Sequence, residues 1–374
     1  MSKIKKIYFN DLRILNKSLK TKIDNSIQKV IKNSNYILGN ELIKFENQFS
    51  KFIKCKYSIG VSNGLDALKL SLISLNLKKN DEVIVPANSF FATALAVSNI
   101  NVKPVFVDCN VDTYNICLDD LKKKISKKTK VIIIVHLGGN PIDVFKIKKM
   151  ISGKRIYLIE DAAQAHGASI RNKFCGTMGD LGCFSFYPTK NLGAMGDGGI
   201  ITTNNINFFN KIKKLRNYGQ SSKYNFELLG FNARLDEIQA SILQVKLKSL
   251  KLESKKRIQF AKLYKKLLKN IGDLKFQHVS DNSINVYHLF YIQTKYRNKL
   301  KVFLEKNDIL TGIHYPVPIH LQKAYKFLNY SKGSFPNAEK LSKNTLSLPM
   351  HINLSKNEIL YVCKKIKQFF NFYE

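Results

Sequence analysis

The chain has 374 residues, 44% of them hydrophobic, and a formal net charge of +35. The apolar fraction excludes an intrinsically disordered chain, and the length suits one large domain with a smaller one. The charge alone would suggest nucleic acid or an anionic membrane, but the lysines are spread along the whole chain amid abundant Ile and Asn, as an AT-rich coding sequence produces, and no basic stretch is interleaved with stacking aromatics. A phosphorylated small-molecule substrate fits that surface better.

The opening "MSKIKKIYFNDL" is basic, with no apolar run after it, and no segment is long and apolar enough to span a bilayer. Cys55, Cys109, Cys117, Cys175, Cys183 and Cys363 form no C-x-x-C pair and no zinc spacing. They read as reduced, mostly buried thiols of a cytoplasmic protein that holds no metal.

"GLDALKLSLISLNL" (64–77) has helical spacing after a glycine turn, and "FATALAVSN" (91–99) reads as a second helix. Between and after them, "DEVIVP" (81–86), "KPVFVD" (103–108), "KVIIIVH" (130–136) and "RIYLIED" (155–161) are continuous apolar runs that suit strands buried on both faces of a mostly parallel sheet. The alternation predicts a doubly wound α/β domain over residues 1–235. From Asp236 to Leu268 the pattern is one long helical stretch, apolar on one face and lysine-rich on the other. Mixed strands and turns follow, including "GIHYPVPIH" (312–320), with a closing helix near 356–370. Residues 236–374 are therefore expected to form that helix and a smaller α+β domain.

In open α/β sheets, ligands sit at the carboxyl ends of the strands. Asp161 closes "RIYLIED" there, and a buried carboxylate is costly unless a cation or several donors meet it; capping the next turn is its plainer role. Lys190 follows the strand-like "GCFSFYP" (182–188) and opens into the glycine-rich "LGAMGDGG", where a backbone can approach a bound group closely. A carboxylate for a pyridinium nitrogen and a desolvated lysine for a Schiff base are what pyridoxal phosphate chemistry asks of a protein. "VSNGLDAL" (61–68) opens a helix whose first N–H groups can hold a phosphate, or it is an ordinary N-cap. Phe90, in "PANSFFATA", can stack on a cofactor ring or belong to the core.

Taken in order, "NYILGNELIKFENQFSKF", "SNGLDAL", "VPANSFFAT", "PVFVD", "EDAAQAHGA", "FSFYPTKNLGAMGDGG", "RNYGQ", "GFNARLDEIQA" and "IHYPVPIHLQKAY" resemble the DegT/DnrJ/EryC1/StrS family of sugar aminotransferases over nearly the whole chain. The resemblance implies a fold-type I pyridoxal phosphate enzyme. It implies that Lys190 forms the Schiff base and shuttles the proton, that Asp161 bonds the pyridinium nitrogen, that Gln164 bonds the ring hydroxyl and that Phe90 stacks on the ring. Ser185 and the backbone at Gly64 and Leu65 would hold the phosphate, with Asn232 reaching the phosphate of a neighbouring subunit in a homodimer with shared sites. His166 and His136 lie near this set and read equally as packed structural histidines.

The implied substrates are a nucleotide-linked keto-deoxysugar and L-glutamate. "NGLDAL", "SFFATALAVSN" and "RNYGQSSKY" resemble the subgroup that aminates C3 of dTDP-3-keto-6-deoxyhexoses. The alternatives are C4 amination, C3 amination of a UDP-linked keto sugar, a pyridoxal phosphate-dependent sugar dehydratase and a non-catalytic sensor. Arg216, Tyr218, Lys223, His314, Tyr315 and His320 are candidates to line the substrate mouth. Surface polysaccharide and glycosylated metabolites are both open as destinations. One departure stands out: where many members read Tyr-Gly-Gln-Pro, this chain has "GGNP" (138–141), which shortens two side chains near the substrate and leaves the pocket open to question.

Overall fold

The computed structural model describes residues 6–373; the basic opening noted above falls in part on residues 1–5, outside them. Its centre is a seven-stranded sheet of β1 (Tyr57–Val61), β2 (Glu82–Pro86), β3 (Lys103–Val107), β4 (Thr129–Val135), β5 (Tyr157–Asp161), β6 (Leu181–Ser185) and β7 (Gly199–Thr203), in the order β1-β7-β6-β5-β4-β2-β3. From β6 to β3 every pairing is parallel, and β7 runs antiparallel to both β1 and β6. Each apolar run read as a strand is one. Val131 to Ile134 are wholly buried, because helices cover both faces of a parallel sheet.

Helices Gly64–Ser74 and Ala92–Ser98 supply two of the crossovers. Asn63 caps the first with its side chain, accepting from Asp66 N–H at 2.8 Å. Helices Leu12–Asn33 and Asn40–Ile53 precede the sheet. Glu237 ties the start of the second of these to the rest of the fold, accepting from the N–H groups of Gly39, Glu41 and Leu42 at 2.8 to 2.9 Å.

The long helical stretch expected from 236 to 268 is broken into Glu237–Leu247 and Leu250–Leu268. Ser249 stands at the break, its hydroxyl 3.0 Å from the Lys246 carbonyl and 2.6 Å from Glu253 Oε1. The first piece packs with the N-terminal helices, and the second packs with the closing helix Lys356–Tyr373.

A three-stranded antiparallel sheet, Lys275–Phe276, Phe290–Gln293 and Thr345–Leu348, forms the second layer. Its core (Tyr264, Phe290, Leu300, Ile359, Ile366, Phe369) also takes in Ile7, because the N-terminal segment pairs with Ile309. The segment around Ile7 thus joins the smaller unit's core ahead of the larger unit in chain order.

Candidate active site

Asp161 ends β5, flanked in register by Val135 of β4 and Cys183 of β6. The site therefore lies at the carboxyl ends of the central parallel strands. The Asp161 carboxylate is 6% exposed. Its Oδ2 accepts from Thr93 Oγ1 at 2.9 Å and its Oδ1 from Ala163 N–H at 3.2 Å. Capping of the next turn and a buried, donor-lined carboxylate are thus both present. Burial raises its pKa, opposed by the Thr93 and Ala163 hydrogen bonds and by the positive field of Lys190.

Lys190 sits after a turn in which its N–H bonds to the Tyr187 carbonyl at 2.9 Å. Its side chain is partly buried, and burial pulls the amine down to about 8 although Asp161 draws it upward. An amine in that state is available as a nucleophile or base near neutral pH.

Gln164 is buried in the turn that follows Asp161. Its Oε1 accepts from Gly138 N–H at 2.6 Å and its Nε2 donates to the Tyr315 hydroxyl at 3.1 Å. Phe90 is 57% exposed, which excludes a core role, and its ring centroid lies 5.6 Å from that of Tyr315.

At the start of helix Gly64–Ser74 the backbone is drawn against Ser185. A Cβ on Gly64 would stand 2.7 Å from Ser185 Cβ, so only glycine fits. Asp66 N–H is satisfied by the Asn63 side chain and Ala67 N–H by its carbonyl. The Gly64 and Leu65 N–H groups have no acceptor among the described residues, and the Ser185 hydroxyl beside them keeps its proton free while accepting from Tyr187 N–H at 3.2 Å. Two open N–H groups, a hydroxyl and the positive helix end form an anion cradle.

These features fit pyridoxal phosphate: an amine brought near neutrality, a buried carboxylate, an amide with a donor to spare, an open aromatic face and a phosphate cradle. Lys190, Asp161, Gln164, Phe90, Gly64, Leu65 and Ser185 are the residues that would hold it. Among the described residues no group of three His, Cys, Asp or Glu is arranged to bind a metal ion, and no helix is long and apolar enough to cross a membrane.

Of the other candidates, Tyr315 joins this cluster through Gln164, and His314 lies within the field of Lys190. Asn232 is exposed on a loop bridged to Asn217, and no hydrogen bond joins its side chain to the Lys190 cluster. His314 stacks on Phe9 and bonds Ser347 at 2.9 Å, and burial brings its pKa down to about 4. Tyr218 and Lys223 remain exposed.

Arg216 and His320 are corrected: both turn into the protein. Arg216 pairs with Glu46 and bonds the Gly60 carbonyl at 2.8 Å, while His320 lies 3.2 Å from Glu339. A cation near a strand or turn end reads the same in sequence whether its acid partner lies in solvent or 170 residues away. His166 is wholly buried between Phe184 and Phe186, and burial drives its pKa down to about 3. His136 is equally buried: its Nδ1 accepts from Ile142 N–H, so its Nε2 donates to Glu160 at 2.9 Å. His136 is thus bonded within the fold through both ring nitrogens, whereas His166 lies within the field of Lys190.

Sequence reasoning missed Thr93, the bond from Gly138 N–H to Gln164 and the Phe9 contact. Thr93 carried a usable signal, since it stands one helical turn beyond Ser89 and Phe90 at a strand end. The other two depend on folding back of distant segments.

The family model described as the DegT/DnrJ/EryC1/StrS aminotransferase family matches residues 17–367. The chain is 40% identical to the dTDP-3-amino-3,6-dideoxy-alpha-D-galactopyranose transaminase of Aneurinibacillus thermoaerophilus, over 97% of this chain and 99% of the relative. It is 39% identical to a protein of Geobacillus stearothermophilus described as a pleiotropic regulatory protein, over 96% of this chain and 97% of that one. Among solved structures, that of S. venezuelae DesV in complex with ketimine intermediate superposes with a TM-score of 0.96 at 35% identity, covering 98% of this chain and 99% of the other.

Proposed function

The chain belongs to the DegT/DnrJ/EryC1/StrS aminotransferase family, and on that premise we propose that it moves an amino group from L-glutamate to C3 of a dTDP-linked 3-keto-6-deoxyhexose. It is a pyridoxal phosphate-dependent enzyme. The observation that carries the reading is the placement of the half-buried Lys190 within the field of the buried, donor-lined Asp161 carboxylate at a strand end. A sensor has no use for a desolvated lysine at a strand-end carboxylate. The preference for C3 draws support from the Aneurinibacillus relative at 40% identity and from the turn "NGLDAL".

When bound, the cofactor supplies an electron-withdrawing ring and a carrier for the amino group. The protein's part follows from its own groups. With burial lowering its pKa to about 8, a far larger share of Lys190 amines is unprotonated near neutral pH than for an ordinary lysine. Lys190 Nζ can therefore both accept and return a proton without a second base. Asp161, anchored by Thr93 and Ala163, presents a carboxylate that keeps a ring nitrogen protonated. Gln164 offers its remaining Nε2 hydrogen to a ring oxygen. Gly64, Leu65 and Ser185 would anchor the phosphate, and Phe90 would cover one face of the ring.

The enzyme acts in the cytoplasm as a homodimer in which Asn232 completes the neighbour's phosphate site, and Tyr315, His314, Tyr218 and Lys223 face the sugar nucleotide. The product's amine is destined for a surface polysaccharide or a glycosylated metabolite.

The test is incubation with pyridoxal phosphate, glutamate and an equilibrating mixture of dTDP-3-keto and dTDP-4-keto 6-deoxyhexoses, the new amine being located by NMR. Nitrogen at C3 supports the proposal. Nitrogen at C4, turnover only with a UDP-linked keto sugar, or loss of a sugar hydroxyl without nitrogen gain each replaces it with the corresponding alternative. A colourless protein indifferent to glutamate would leave only the regulatory role.

A further inference from the structure

We propose that Gly138 is a positioning residue that fixes which end of the Gln164 amide faces the cofactor, and that Tyr291 makes glycine obligatory there. The inference rests on the reading in which Gln164 meets the cofactor's ring oxygen.

A backbone N–H can only donate. The 2.6 Å bond from Gly138 N–H to Gln164 therefore settles the amide: Oε1 points at Gly138 and Nε2 points away. One Nε2 hydrogen goes to the Tyr315 hydroxyl at 3.1 Å, and the other has no acceptor among the described residues. Gln164 thus has an N–H donor to spare for whatever lies beside it.

The Gly138 peptide is itself clamped. Its carbonyl accepts from Leu289 N–H at 3.3 Å, and the carbonyl of Gly139 accepts from Val286 N–H at 3.2 Å. Gly138 has φ +72°, and a Cβ built on it would stand 2.5 Å from Tyr291 Cε2 and 3.4 Å from Gln277 Oε1. Neither neighbour is free to give. Tyr291 is 2% exposed in the strand Phe290–Gln293, packed against Tyr114 at a ring-centroid distance of 5.2 Å. Gln277 Nε2 donates to the carbonyls of Thr113 at 2.8 Å and Leu137 at 3.1 Å. A side chain at 138 would have to move the peptide, and the donor aimed at Gln164 would move with it. A strand of the smaller unit thereby sets an amide in the larger unit's cofactor site. The shortened side chain at 138 opens no space, because the Tyr291 ring fills it.

The test measures the dissociation constant of pyridoxal phosphate for the apo-protein and the pH midpoint of the bound cofactor's visible band. Gly138→Ala is expected to raise the dissociation constant about tenfold, the worth of one lost hydrogen bond, and to move the midpoint in the same direction as Gln164→Ala. The pair Gly138→Ala/Gln164→Ala should bind no more weakly than Gln164→Ala alone. Gly153→Ala, at φ +76° with nothing within 4 Å of the new Cβ, controls for the left-handed backbone and should leave both readouts unchanged. If Gly138→Ala folds poorly, Gly138→Ala/Tyr291→Leu should restore both folding and binding. Additive effects of positions 138 and 164, or unchanged binding by a folded Gly138→Ala, overturn the proposal. If Gln164→Ala itself changes neither readout, the reading of Gln164 fails instead.

Discussion

Thr93 Oγ1 donates to Asp161 Oδ2 at 2.9 Å, and both groups are buried. The bond joins the helix after β2 to the end of β5, across the intervening β4. It also opposes burial, the main influence on this carboxylate, since burial raises its pKa and the Thr93 bond lowers it. Thr93→Val keeps the shape and removes the donor. A hydrogen bond to a charged group contributes about 1.5–3 kcal/mol, so turnover and cofactor affinity should fall roughly ten- to a hundredfold together. Asp161→Asn should cost more turnover than that while retaining some cofactor. Equal kinetics for Thr93→Val and wild type would show that Asp161 does not depend on this bond.

Capture of pyridoxal phosphate by the apo-protein requires the unprotonated Lys190 amine, and burial holds that amine near 8. The sign follows directly: lowering the pKa enlarges the reactive fraction at neutral pH. Below pH 8 the capture rate should rise about tenfold per pH unit, and it should level off above 8. An ordinary lysine would go on gaining to about 10.4. Stopped-flow absorbance across pH 6–10 reads the midpoint, and Lys190→Ala should abolish both covalent capture and turnover. A rate still climbing at pH 9.5 would mean that Lys190 is not desolvated.

The phosphate cradle makes a separate claim. Ser185→Ala should weaken binding of pyridoxal phosphate about tenfold, as expected for one hydrogen bond to a charged group. Binding of pyridoxal, which lacks the phosphate, should be unchanged. Gly64→Ala should be the more damaging of the two, because its Cβ would stand 2.7 Å from Ser185 Cβ. Equal losses for the phosphorylated and unphosphorylated ligands would remove Ser185 from the phosphate site.

Much of this was legible in sequence, for identifiable reasons. The apolar runs of β2 to β5 are unambiguous because a strand buried on both faces needs side chains of one kind throughout. Asp161 and Lys190 are legible because each breaks its local pattern, one closing an apolar strand and the other sitting between aromatics and glycines. β1 and β7 are not evident in sequence: "YSIGV" and "GIITT" carry glycine and hydroxyl residues that interrupt an apolar run, and β7 pairs antiparallel with both β1 and β6. The break at Ser249 falls within a stretch whose helical periodicity continues on both sides, so periodicity does not register it. Arg216 was placed at the mouth because composition makes every basic residue look alike, whereas its acid partner Glu46 lies in another helix. In sequence Gly138 shows only a shortened side chain; the Tyr291 ring that packs against it lies about 150 residues further along the chain.

Sharing of the site between subunits has a test that rests on complementation. Asn232 is exposed and unbonded to the Lys190 cluster of its own chain, and the nearby hairpin leaves Tyr224 at 78%, Phe226 at 58% and Leu229 at 96% exposure. Such apolar side chains on one projecting segment suit a partner surface. Lys190→Ala should be inactive, and Asn232→Ala should lose cofactor readily. If sites are shared, a dimer of one variant with the other contains one site with both changes and one with neither. Random exchange of equal amounts should then restore about a quarter of wild-type sites. If each chain is self-sufficient, every Lys190 site in the mixture still lacks its own Asn232, and activity cannot exceed that of the Asn232→Ala protein present. Measuring turnover before and after subunit exchange, with cofactor retained on the column as a second readout, separates the two arrangements, because only sharing creates a wild-type site from two defective chains.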